Sequence, residues 1–209
     1  LNQTPSVVVQ SDAGNGIGYT GIRIRGTDAT RINVTINGIG YNDAESMGTF
    51  LVNLPDFASS VSSIQIQRGV GSSSNGPSAF GASINLSTHE LNEKAYFSAS
   101  NSAGSFGTLK NTIQFGTGLI NKYFTVDARV SNIKSDGYID RAFSDLRSYY
   151  VSGAYIKGKT SLRFTTFSGK EKTYQAWYGV SDSDLENNRT FNPAGTEKSG
   201  EPYSNQTDN

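Results

Sequence analysis

The chain has no cysteine and one histidine, His89. The first absence excludes a disulfide framework and a thiolate zinc site. The second excludes a multi-histidine metal centre, and His89 reads as a surface or turn residue. No run approaches the roughly 18 consecutive apolar residues of a membrane helix. There is no signal peptide and no starting Met, so the N-terminus is expected to be processed or to continue from a longer chain. Charge of either sign is not in excess: 18 Lys and Arg stand against 18 Asp and Glu. That balance gives no bulk electrostatic argument for nucleic acid, whose phosphates need clustered Lys and Arg. No G-x-S-x-G elbow occurs and no nucleophile motif lies near His89, so no enzyme is expected. No cofactor or resident metal is expected either.

What remains is a strand-and-turn composition, with 23 Gly, 11 Tyr and 11 Phe among 209 residues. A mean hydropathy of -0.44 does not exclude a membrane. A transmembrane β-barrel shows lipid only every second residue, so its average stays polar.

Up to about Thr88 the chain is rich in Gly and Ser, with short apolar runs. Strands are predicted at Ser6 to Gln10, Ile22 to Arg25 and Ile32 to Ile36, the last followed by an Asn37-Gly38 turn. Asn53 and Pro55 suggest a capped helix start, with a short helix over Pro55 to Val61. Ile64 and Ile66 alternate with Gln65 and Gln67, and Ile84 and Leu86 form a last short strand. The prediction for residues 1–89 is a small mixed α/β domain.

From residue 90 to 209 the strands lengthen. They are predicted at Ala95 to Ser102, Thr108 to Thr117, Tyr123 to Ser131, Arg147 to Lys157 and Thr160 to Gly169. Tyr123 to Ser131 is the clearest: Phe124, Val126, Ala128 and Val130 alternate with Thr125, Asp127, Arg129 and Ser131. The lengths match the roughly 9 to 11 residues of tilted membrane strands. Gly118 to Lys122 and Gly158-Lys159 are short connections; Asn132 to Leu146 and the polar stretch after Lys170 are long. Loops sorted by length favour a transmembrane barrel over a soluble β-sandwich, which also alternates. Five strands close no such barrel, since the smallest have about eight. The second domain is therefore expected to be the first five antiparallel strands of a partial barrel.

Three stretches carry a family resemblance. They are Ile24-Arg25-Gly26; Thr35-Ile36-Asn37-Gly38-Ile39 with Tyr41-Asn42-Asp43-Ala44; and IQIQRGVGSSSNGPSAFGASINL from Ile64 to Leu86. In order and spacing they resemble the plug of TonB-dependent outer-membrane receptors. The resemblance implies a plug at 1–89, its start missing, inside a barrel that in this family has about 22 strands. It implies active import of a scarce nutrient such as a siderophore-iron, haem or cobalamin complex, across the outer membrane of a Gram-negative-type bacterium. The implied partners are the cargo, the membrane lipid and a TonB protein, which pulls on an N-terminal box absent here. Residues 64–86 also carry Gly69, Gly71, Gly76 and Gly81, expected to allow positive φ in a confined lumen. The alternative classes are a secreted or surface β-rich binding module such as an adhesin, and a glycosidase with unrecognised carboxylates.

By the same resemblance, Arg25 and Arg68 anchor the plug to barrel glutamates beyond this chain, away from the binding loops. The plain alternative is a solvated strand-edge charge. The loops expected to face outward are Asp12 to Gly18, Asp28 to Arg31 and Tyr41 to Glu45. They offer Asp12, Asn15, Asp28, Arg31, Tyr41 and Asn42 as ligand contacts. Tyr41 is preferred because an aromatic supplies an apolar face and a hydroxyl, although packing between plug and barrel would use it equally well. Gly16-Ile17-Gly18-Tyr19-Thr20-Gly21 matches the dinucleotide fingerprint only formally, since a strand is expected to follow it. Asp182, Asp184 and Glu186 lack the rest of a calcium-loop pattern and read as a solvated acidic loop.

Overall fold

The computed structural model describes residues 3–70, 79–88, 92–194 and 206–208. His89, Gly71 and Gly76 lie outside the described residues. The chain forms two compact units. One comprises Leu1–Gln10, Thr20–Leu51 and Phe57–Glu90; the other comprises Ser11–Tyr19, Val52–Asp56 and Leu91–Asn209.

The first unit holds a two-stranded sheet, β1 (Val7–Ser11) with β2 (Thr20–Ile24). Its second sheet runs β4-β3-β6-β5, from β3 (Ile32–Ile36), β4 (Ile39–Gly40), β5 (Ser63–Arg68) and β6 (Ala82–Ser87). β3 and β6 are parallel; the β3–β4 and β5–β6 pairs are antiparallel. The short apolar alternations meet in one core of Val7, Ile24, Ile32, Val34, Ala82 and Ile84. Val9, Ile22, Tyr41, Ile66 and Leu86 pack against it. The Asn37-Gly38 turn is a hairpin with both residues at positive φ, 55° and 82°. That geometry matches the twist of the flanking strands.

Several expectations are corrected here. The helix predicted over Pro55 to Val61 is a single 3-10 turn, Phe57–Ser60, preceded by another at Leu51–Asn53. Between them Asp56 takes φ 49°, which breaks any continuous helix after Pro55. Gly69 does adopt a positive φ, 87°. Gly81 does not stand among the positive-φ residues; a side chain there would collide with Thr27.

The second unit is an antiparallel meander of β7 (Tyr96–Ala103), β8 (Leu109–Gly116), β9 (Phe124–Ser135), β10 (Ser144–Lys157) and β11 (Thr160–Tyr174). A short β12 (Gln206–Asp208), not foreseen in the sequence, pairs with β11. β9 and β10 run into the predicted long loop and leave only residues 136–143. The connection at 104–108, at the same end, is also short, so the sorting of loops by length is less sharp than the sequence suggests. The acidic stretch at 182–187 is a helix, α1 (Asp182–Asn187), and not a loop. Ser181 and Asp184 close a reciprocal capping box at its start.

The two faces of the meander differ as the alternation requires. Phe97, Phe115, Val130, Leu162 and Phe164 are exposed, Phe97 by 71 % and Phe164 by 69 %. The opposite face buries Thr112, Thr125, Arg129, Ser131, Ser148 and Ser152.

The Asn37 side chain also ties the hairpin to the end of β6. Its amide donates to the Thr88 hydroxyl at 2.9 Å, and its carbonyl accepts from the Thr88 backbone at 2.9 Å. Asn37→Gly should therefore lose only these bonds, about 1 kcal/mol each. Asn37→Ala should lose them and add about 1–2 kcal/mol of left-handed strain. Hydrogen exchange at the β3 and β4 amides should rank wild type, Gly, then Ala in falling protection; equal effects of Gly and Ala would dismiss the strain contribution.

Candidate functional site

Register decides which residues meet at the ends of the first unit. Ile32 of β3 lies opposite Ala82 of β6, and Ala82 lies opposite Arg68 of β5. The Asp28–Arg31 turn and Arg68 therefore share one end of the sheet. Asn42 joins them, because its amide donates to the Ile32 and Met47 carbonyls at 2.9 Å each and its carbonyl accepts from Val34 N at 2.8 Å. Asn42 thus binds three backbone groups and extends the edge of β3.

Arg25 sits on a tight turn closed by the Ile24–Thr27 bridge, at φ 51°. Its backbone N–H donates to Ser6 O at 2.9 Å. Its guanidinium Nη1 lies 3.3 Å from where a Cβ on Gly69 would be. Arg68 donates from Nη1 to Pro5 O at 3.1 Å. The two arginines thus reach the same end of the unit. Both are exposed, and neither forms an ion pair among the described residues. The Asp28–Arg31 turn lies at this same end, where Gly81 N donates to Arg31 O and Gly69 N donates to Gly81 O.

Asp28 caps its turn. Hydrogen bonds from the Thr30 hydroxyl and the Thr30 backbone hold its carboxylate below the usual range. Arg31 is exposed at the end of that turn, and its carbonyl accepts from Gly81 N at 2.8 Å. Tyr41 is half-buried against the unit's own core, and burial pushes its phenol up. Asp43 accepts from the Ser46 backbone and hydroxyl, which hold it down.

Asp12 and Asn15 belong to the second unit. Burial pushes the Asp12 carboxyl up, and its backbone carbonyl accepts from Ala176 N at 2.8 Å. Asn15 donates to Ala142 O at 2.8 Å and to the Ser144 hydroxyl at 2.9 Å, while its carbonyl accepts from Ile17 N. Tyr19 N donates to the buried Glu171 carboxylate at 2.9 Å. Segment 11–19 is thereby fixed to the loop end of β10 and β11. A strand follows the glycines of 16–21, so no nucleotide-binding turn forms. The neighbouring loops are tied together by Arg141, which donates to the Asn192 and Ala194 carbonyls. Asn192 is buried and bridges the Asp140 and Gln175 carbonyls.

The strongest electrostatic feature is at Asp56. Its Oδ1 lies 2.9 Å from Lys110 Nζ and its Oδ2 lies 3.0 Å from Arg129 Nη1. The Asp56 and Arg129 side chains are 6 % and 4 % exposed. Arg129 also donates to the hydroxyls of Ser131 at 2.7 Å and Ser148 at 3.1 Å. The alternation of β9 predicts Arg129 on this inward face, but it does not name the partner. A guanidinium turned inward needs a carboxylate, but nothing in the sequence singles out Asp56 as that group.

Removing Asp56 leaves the buried Arg129 guanidinium without its carboxylate, at a cost of roughly 3–5 kcal/mol. Asp56→Asn should therefore lower the thermal stability of the full-length protein markedly. Asp56→Asn added to Arg129→Met should cost far less than Asp56→Asn alone. Additive losses in this cycle would mean that the two side chains do not interact.

The family model described as TonB-dependent Receptor Plug Domain matches residues 1–83. No curated protein matches the sequence. Solved structures do match the fold. The copper transporter OprC aligns with a TM-score of 0.68 and 18 % identity, over 84 % of this chain and 27 % of its own. The pyoverdine outer membrane receptor FpvA from Pseudomonas aeruginosa PAO1 aligns at 0.65 with 14 % identity, over 86 % and 26 %. The ferric yersiniabactin uptake receptor FyuA from Yersinia pestis aligns at 0.65 with 13 % identity, over 83 % and 28 %. The chain thus spans about a quarter of the length of these receptors. Residues 1–83 thus match the TonB-dependent receptor plug domain, and the chain as a whole has the fold of these receptors, a plug followed by the strands of a partial barrel.

Proposed function

We propose that the chain is part of an outer-membrane importer in which the plug gates the barrel and a TonB protein supplies the work. The observation that carries this reading is the two-faced meander after a plug domain. Exposed apolar side chains such as Phe97, Leu162 and Phe164 stand on one face, with buried hydroxyls and a buried ion pair on the other. A lipid-facing barrel strand needs that division: a Lys or Arg on the lipid face at the midplane costs about 2 to 4 kcal/mol. The proposed cargo is a metal chelate of the siderophore-iron, haem or cobalamin kind. Copper, pyoverdine and yersiniabactin in the names of the similar receptors support a metal or its chelate. The reading is of a transporter and not of an enzyme.

Among the apical residues, Asp28, Arg31 and Tyr41 are the proposed ligand contacts. Asp12, Asn15 and Asn42 form hydrogen bonds within their own units, which shape the loops that carry them. Arg25 and Arg68 are the proposed anchors to barrel carboxylates outside residues 1–209. Their shared end, their exposure and the cationic character given by Arg31 support an acidic counterpart.

Val130→Cys in the full-length receptor should react with a lipid-phase thiol probe, and Ser131→Cys should not. The reverse pattern, or recovery of the protein outside the outer-membrane fraction, would sink the importer reading. Arg25→Ala and Arg68→Ala should raise leakage of small antibiotics while ligand affinity holds. Lost affinity with an unchanged leak would reassign both arginines to the ligand site.

A further inference from the structure

Beside Asp56 the polar face of β8–β11 has the form of a ligand site. In register, Thr112 lies opposite Ser131, Ser131 opposite Ser148, and Ser148 opposite Gly169. Small side chains at one level on four strands leave room for a segment to lie against the sheet. Pro55 uses that room: a Cβ on Gly169 would stand 2.8 Å from its Cγ. Lys110 and Arg129 flank the row from opposite sides, because each lies two residues before it on antiparallel strands. The Asp56 carboxylate spans the gap, with one oxygen on each cation. Arg129 is held from behind by Ser131 and Ser148, so its orientation does not depend on Asp56. The buried Thr112 hydroxyl in the same row has no hydrogen-bond partner among the described residues. Asp56 itself occupies the row at φ 49°, a conformation unfavourable to any side chain but tolerated best by Asn and Asp.

We propose that Lys110, Arg129, Ser131 and Ser148 form a carboxylate-binding site, which Asp56 fills as an internal ligand and which takes a free carboxylate when Asp56 is absent. Two cations set apart on either side match the two oxygens of a carboxylate better than a single spherical anion. The hydroxyls supply the remaining contacts at a buried position, where an unpaired guanidinium is costly. Under the import reading, and only there, an anionic solute passing this wall meets the site once residues 52–56 withdraw. The site itself stands on the geometry of β8–β11.

The test uses the full-length receptor in detergent and acetate as the probe. Asp56→Gly removes the carboxylate, opens its volume and suits the positive φ. Asp56→Asn removes the charge but keeps the volume filled. The melting temperature of Asp56→Gly should rise with acetate and saturate, while chloride at matched ionic strength leaves it unchanged. Wild type, Asp56→Asn and the double variant Asp56→Gly/Arg129→Gln should not respond to acetate. A response of Asp56→Gly equal to that in chloride, or an equal acetate response in all four proteins, overturns the proposal. Should Asp56→Gly fail to reach the membrane, refolding yield from denaturant reads the same site: acetate, and not chloride, should raise it. Partition of wild type with the outer membrane is scored separately, so a failed acetate response with correct partition removes the carboxylate site and leaves the importer reading in place.

Discussion

A strand delivers its side chains to two faces in strict alternation, and a charged group that β8 to β11 bury on the inward face is costly unless it finds a partner there. The exposed apolar row leaves the strand no choice in this: Val126 and Val130 outward put Asp127, Arg129 and Ser131 inward. Tyr96 supplies a hydroxyl to Asp127 at 3.0 Å, Ser148 meets Ser131 at 2.9 Å, and Asp56 meets Arg129. Segments 11–19 and 52–56 supply several of the partners, which is why they belong to the same compact unit as the strands. The plug match extends over both segments, so the division of the sequence and the division of the packing differ.

Two opposing energies meet at Arg129. Desolvating a guanidinium costs several kcal/mol, and the attraction of one carboxylate offsets this only where geometry and further hydrogen bonds are good. Here the carboxylate oxygen stands at 3.0 Å and two hydroxyls take further donors, which is the geometry such an offset requires. A hydrophobic replacement of similar volume would hold as firmly. It would lack what a polar contact allows, which is exchange of one partner for another of the same chemistry, or for water.

Much of this was legible in the residues. The periods of Ile22 to Ile24, Ile32 to Ile36 and Phe124 to Val130 located their strands, because burial of one face dictates the pattern. Asn37-Gly38 fixed a hairpin through φ alone. The helix over Pro55 to Val61 was misread because a cap signal was present without the left-handed Asp56 being visible. The capping box at Ser181 lay in a polar stretch with no apolar period to mark α1. The backbone bond of Asn15 was not visible in the sequence, since an exposed asparagine and one bound to backbone 127 residues away read alike. Asp56 was illegible for the same reason: its partners lie 54 and 73 residues further on.

The parallel pairing of β3 with β6 has a bearing on how the first unit assembles. The β3–β4 hairpin closes across two residues, Asn37 and Gly38, so its pairing is local in sequence. β3 cannot take its second neighbour until Ala82 to Leu86 arrive from the far end of the unit. Closing so wide a loop costs entropy before any contact repays it. β3 therefore has one neighbour that is local in sequence and one whose pairing carries a far larger loop-closure cost. Until β6 docks, the apolar face of Ile32 and Val34 is open to water and to other unpaired strands.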